Sequence, residues 1–100
     1  MPAYTVYVFP PAWQEIKHLP GNVRQRLKRT IDRLADNPYP PKSKKLNWDH
    51  VELNLCRLRL DRWRIVYAVN ESEWTVDILT VRKRPPYDYT DLAQLIEALG

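Results

Sequence analysis

Four arginines fall within eight residues: Arg57 and Arg59 in the run Leu53-Asn54-Leu55-Cys56-Arg57-Leu58-Arg59-Leu60, Arg62 in Asp61-Arg62, and Arg64 just beyond; Arg57, Arg59 and Arg64 are the three that strand alternation can bring together. A guanidinium is permanently charged and presents a planar fork of donors, so it holds phosphate or stabilises developing negative charge, but it cannot serve as a general base. If Asp61-Arg62 is a two-residue turn, Leu60 faces Trp63, Arg59 faces Arg64, Leu58 faces Ile65 and Arg57 faces Val66. Strand alternation then gathers Leu58, Leu60, Trp63 and Ile65 on one face and Arg57, Arg59 and Arg64 on the other. Like charges directly opposite each other destabilise a sheet. A local cost of this kind, with no structural return, is a signature of a functional surface; a merely solvated strand face is the competing reading. Asp-Arg is not a favoured hairpin turn.

A second basic cluster, Arg82-Lys83-Arg84, is followed by Pro85-Pro86 and Tyr87-Asp88-Tyr89. If the strand that ends here lies beside the Arg64 strand, Arg82 or Arg84 and one tyrosine reach the arginine face. Guanidinium groups that hold phosphates, interleaved with rings that stack on unpaired bases, suit RNA. A tyrosine whose pKa is lowered by neighbouring cations can also pass a proton; packing against a final helix is the other role open to Tyr87 and Tyr89. A third group, Arg24, Arg26, Lys28, Arg29 and Arg33, occupies the polar side of a predicted helix, and Lys42, Lys44 and Lys45 extend it. Either a solvated helix surface or a phosphate-rich partner accounts for these.

Other chemistries find no support. With only Gly21 and Gly100 there is no glycine-rich phosphate loop. His18 and His50 have no partners at metal or triad spacing, and Cys56 falls on the buried side of its strand as a small core residue. One cysteine cannot form an internal disulfide, and with two histidines it cannot complete a four-ligand zinc site. No metal and no cofactor is expected. No apolar run approaches the roughly 18 residues of a membrane span, and the first residues do not read as a secretory signal. A cytoplasmic location without membrane attachment is the expectation.

The elements that position these residues are legible from periodicity. Tyr4 to Phe9 is β-branched and aromatic and predicts a strand. Pro10-Pro11 opens a short helix with Ala12, Ile16 and Leu19 on one side, closed by Pro20-Gly21. Asn22 with Gln25 predicts a capping box for a second helix, whose stripe is Val23, Leu27, Ile31 and Leu34. Asn37 to Lys45, with three prolines and three lysines, predicts a basic loop. The period then becomes two. Strands are predicted over 53–60, 63–69 and 74–81, and a last amphipathic helix carries Leu92, Leu95, Ile96 and Leu99. The order β-αα-βββ-α, without strict alternation, predicts an α+β domain. One hundred residues suffice for one domain, 1–100, and not for two. Sixteen basic against twelve acidic residues gives a net charge of +4, which favours a polyanionic partner without identifying it.

Over nearly its full length the chain resembles the RelE/ParE superfamily of bacterial type II toxins. The resemblance rests on Tyr4 to Pro10, on Lys17-His18-Leu19-Pro20 with Val23-Arg24, and on Asn37-Pro38 with Lys44-Lys45-Leu46. Its most specific parts are Cys56 to Leu60, Trp63 to Tyr67 and Val81 to Arg84. The resemblance implies a helical hairpin packed on a small curved antiparallel sheet. For the RelE branch it implies a ribosome-dependent mRNA endonuclease in which the RNA's own 2′-hydroxyl attacks the adjacent phosphate, and a cognate antitoxin that blocks the basic surface. The family's catalytic positions correspond to Arg57, Arg59, Arg64, Arg84 or Arg82, and Tyr89 or Tyr87. Lys83, Lys44, Lys45 and Arg29 would add RNA contacts. This sequence departs from the pattern in carrying arginines where the family enzyme has lysines on the first hairpin strand, in its tyrosine spacing, and in Asn47-Trp48-Asp49-His50 before the sheet. A ParE-like inhibitor that poisons DNA gyrase by binding is the alternative, and an inactive toxin-fold protein that binds RNA or antitoxin is a third.

Overall fold

The structure, a computed structural model, describes residues 3–46 and 54–83. Strand β1 (Thr5–Val8) is followed by helices α1 (Pro10–Lys17) and α2 (Gly21–Arg33), and then by strands β2 (Ser43–Lys45), β3 (Asn54–Leu60), β4 (Trp63–Asn70) and β5 (Thr75–Lys83). The five strands form one sheet in the order β1-β5-β4-β3-β2. The α+β class and the helical hairpin are as expected. The sheet is mixed rather than wholly antiparallel, because β1 joins the edge of β5 in parallel. The helical hairpin that follows β1 carries the chain away, so β1 need not return antiparallel to its neighbour.

Helices and sheet meet on one face. Ala12, Ile16 and Leu19 from the α1 segment and Leu27, Ile31 and Leu34 from the α2 segment pack on Cys56, Leu58, Ile65, Tyr67, Val69, Val76, Ile78 and Val81. Both helical stripes are those the 3.6-residue period predicts. Burying a Leu- or Ile-sized side chain is worth about 1.5–3 kcal/mol, so this face carries most of the hydrophobic stabilisation. The opposite face bears a smaller cluster, Leu55, Val66, Ala68 and Leu79, with Phe9 and Leu46 against it.

Two local expectations are corrected. The capping box on Asn22 does not form. Pro20, extended at φ −54° and ψ 147°, is the N-cap, and its carbonyl accepts the first helical bond from the Arg24 amide at 2.9 Å. A proline preset near −60° starts the helix two residues early. The basic loop ends sooner than predicted: Ser43–Lys45 form β2, an edge strand antiparallel to β3. The three prolines all lie before it, and the Ser43 amide and Oγ both donate to the Pro40 carbonyl, at 2.8 and 2.7 Å, closing the turn that aims the strand. The last predicted helix lies outside the described residues. Among the described residues no helix is long and apolar enough to cross a membrane.

Candidate nucleic-acid interface

The β3–β4 hairpin has the register that alternation predicts. Leu60 pairs with Trp63, Arg59 with Arg64, Leu58 with Ile65 and Arg57 with Val66. The unfavoured Asp-Arg turn is made possible by Asp61, whose φ of 54° lies in the left-handed region that aspartate tolerates better than most residues. Its carboxylate accepts from the Arg26 Nη1 of α2 at 2.5 Å, tying the turn to the helical layer. Arg59 Nε donates to the Asp61 carbonyl at 3.4 Å.

Arg82 completes a row. It pairs with Arg64 across β4 and β5, so Arg59, Arg64 and Arg82 stand side by side on three adjacent strands. This depends on one supernumerary residue. Val66 pairs with Thr80 but Tyr67 pairs with Ile78, so Leu79 is a β-bulge. With regular pairing from Ile78 onward, Arg64 would face residue 81 and Arg82 would turn to the helical side. The bulge reverses the alternation, sends Val81 into the core and brings Arg82 beside Arg64. Bulges are used in this way to re-aim side chains. The sequence signal was the break in spacing from Val76 and Ile78 to Val81, an odd step in an otherwise even strand.

The structure gathers five of the sequence-predicted site residues on this face. Lys44 of β2 pairs directly with Arg57, giving a second cationic pair beside the arginine row. Lys44 and Arg59 are exposed, Arg57 and Arg82 half-buried, and Arg64 is only 9% exposed. A guanidinium at that depth needs partners within the chain, and Arg64 has them. Pro41, Lys42, Lys44, Arg59 and Asp61 line a depression of about 490 Å³ at the end of the row.

Other candidates lie elsewhere. Lys45 pairs with Cys56 and Lys83 with Trp63, both on the helical side of the sheet. Arg29 is exposed on α2, in the layer behind the sheet. Arg84, Tyr87 and Tyr89 lie outside the described residues. Cys56 is a buried core residue, as expected, and its burial pushes the thiol pKa up.

Two residues that sequence reasoning passed over touch the row. Thr80, 1% exposed, donates from Oγ1 to Glu15 Oε1 of α1 at 3.0 Å. It accepts at the same oxygen from Arg82 Nε at 3.1 Å. Glu15 reaches it because β1 ends at Val8, opposite Ile78, and α1 runs along β5 from there.

A helical hairpin behind a five-stranded sheet, with cations ranked across the sheet's other face, defines a class of small α+β proteins with a cationic sheet face. Comparison with known proteins narrows the class. A family model described as the ParE toxin of the type II toxin–antitoxin system parDE matches residues 6–85. The chain is similar in structure to a chain of the archaeal RelE–RelB complex from Pyrococcus horikoshii OT3 (TM-score 0.77, 26% identity, 85% of this chain and 99% of that one). It is also similar to a chain of the RelBE2 toxin–antitoxin complex from Mycobacterium tuberculosis (TM-score 0.69, 24% identity, 84% and 100%). A mutant of the E. coli toxin RelE in the free state shares the fold too (TM-score 0.67, 21% identity, 98% and 99%). No curated protein matches. The chain belongs to the RelE/ParE superfamily of type II toxin–antitoxin toxins.

Proposed function

We propose that this chain is a toxin that cleaves mRNA on the ribosome and is held in check by a cognate antitoxin. The carrying observation is the row Arg59–Arg64–Arg82 with Lys44–Arg57 beside it. In such a reaction the 2′-hydroxyl oxygen attacks the adjacent phosphorus, a 2′,3′-cyclic phosphate forms, and the 5′-oxygen leaves with a proton. Fixed guanidinium donors around the phosphoryl oxygens stabilise the extra charge of the pentacoordinate transition state. They cannot carry a proton between the 2′-hydroxyl and the leaving 5′-oxygen; we assign proton handling to Tyr89 or Tyr87, which would take the 2′-proton and return one to the 5′-oxygen. The antitoxin is supported by the structural relatives, which include toxin–antitoxin complexes. Primer extension on mRNA after induced expression tests the reading. We expect new 5′ ends on translated messages, lost in Arg64→Ala; intact messages in growth-arrested cells would overturn it.

The second reading is inhibition of DNA gyrase by binding. It is favoured by the family model, which is that of the ParE toxin, and by arginines in place of titratable lysines. A supercoiling assay separates the two, since only this reading predicts inhibition of gyrase by the purified chain.

A further inference from the structure

We propose that Thr80 and Glu15 are positioning residues for Arg82: a buried hydroxyl relay, anchored on the carboxylate of α1, that sets the third guanidinium of the row before any ligand arrives. The inference rests on the anionic-substrate reading above and adds a helix of the hairpin to the site.

The polarity of the relay follows from the atoms. Arg82 Nε has a proton and no lone pair to offer, so Thr80 Oγ1 must accept from it. The single hydroxyl proton of Thr80 then goes to the Glu15 carboxylate. Both bonds end on a formally charged group, the stronger kind of hydrogen bond. Thr80 is 1% exposed, so water does not compete for its hydroxyl. The bond at Nε orients the plane of the guanidinium, whose terminal nitrogens are the atoms that fork onto a phosphate.

The bulge makes this possible. Leu79 and Thr80 together oppose Val66, which turns Thr80, and with it Arg82 two residues on, to the cation face. An arginine side chain ordered only on binding loses its rotamer freedom at that moment, a loss that a preset geometry largely avoids. Glu15 also supplies a negative charge next to cations that repel one another. The sheet thus keeps a crowded row at a cost shared with the helical layer.

The test is a thermodynamic cycle read by binding and by spectroscopy. Affinity for a short fluorescein-labelled single-stranded RNA is measured for the wild-type chain, Thr80→Val, Thr80→Ser, Arg82→Ala and the Thr80→Val/Arg82→Ala double variant. We expect Thr80→Val to weaken binding by about 3- to 10-fold, Thr80→Ser to restore it, and Thr80→Val to add nothing once Arg82 is Ala. The NMR signal of the Arg82 Nε–H is expected to persist in the wild type and Thr80→Ser and to be lost by exchange in Thr80→Val. If Thr80→Val does not fold, Thr80→Ala removes the same hydroxyl without the extra methyl. Wild-type affinity in folded Thr80→Val or Thr80→Ala, or an undiminished Thr80→Val effect without Arg82, overturns the relay while leaving the RNA reading intact. A wild-type chain that binds no RNA overturns that reading and the relay's role in phosphate binding with it.

Discussion

Arg59 and Arg64 are directly cross-strand on β3 and β4, like charges carried by facing backbone positions. A pair of this kind opposes folding, and the same repulsion is relieved when a polyanion arrives. Arg59, the exposed partner, is therefore the place to separate stability from function. Arg59→Thr is expected to raise stability by about 0.2–1 kcal/mol in urea unfolding while weakening RNA binding. A variant both less stable and equally active would contradict this account of the row.

Salt dependence counts the cations in use. For single strands the slope of log K against log salt is about −0.7 per neutralised phosphate. Lys44, Arg57, Arg59, Arg64 and Arg82 together give a limit of about −3.5. Arg59→Thr should make the slope shallower by about 0.7. Titrations of the two proteins at several salt concentrations check this; parallel lines would mean that Arg59 does not meet phosphate.

Tyr67 ties the core to the segment that leads into β2. Its Oη, in a buried setting, donates to the Pro38 carbonyl at 2.7 Å. Burial holds the phenol well above its ordinary pKa, so it remains a donor at physiological pH. Tyr67→Phe keeps the ring and leaves that carbonyl without its donor, at a cost of about 1–3 kcal/mol. Faster amide exchange at Ser43, next to the bond-bearing loop, should accompany the loss of stability.

Trp74 has φ 58° at the end of the β4–β5 turn, a left-handed conformation unusual for a bulky side chain. Its ring packs on Tyr4 with centroids 5.1 Å apart, which offsets the backbone strain. Both Trp74→Gly and Trp74→Ala remove the ring, but only glycine adopts this φ freely. The glycine variant should be the more stable of the two by about 1 kcal/mol, the reverse of their usual order in a strand. Thermal melts of the pair decide it.

Asp77 gives the pH dependence a definite sign. Burial, and secondarily the charge of Glu73, raise its pKa above the ordinary carboxylate value. The folded state therefore binds this proton more tightly than the unfolded one, and ionised Asp77 costs stability. That cost is full above the folded pKa and vanishes below the unfolded one. Asp77→Asn should raise the melting temperature at neutral pH, with the advantage shrinking to nothing in acid; a constant difference at all pH values would assign it to packing.

The legible parts of the molecule were those in which one period held without interruption. Leu58, Leu60, Trp63 and Ile65 alternate strictly with the arginines, so the hairpin register could be written down before the structure. The α2 stripe of Leu27, Ile31 and Leu34 was equally plain. Failures occurred where a short-range rule was overruled by a neighbour: Pro20 displaced Asn22 as the cap, and prolines close by hid β2. The site was half legible. Arg57, Arg59 and Arg64 came from alternation, but Lys44 required β2, Arg82 required the bulge at Leu79, and Glu15 with Thr80 required knowing where α1 runs.

Strand β2 closes one border of the sheet with three residues, two of them lysines, and prolines 40 and 41 stand just upstream. A border so brief and so strongly hydrated is a poor template for an incoming foreign strand. Copies of this chain should not polymerise edge to edge along that side even at high concentration. The lysine that confronts Arg57 thus also guards the chain against fibrous self-association.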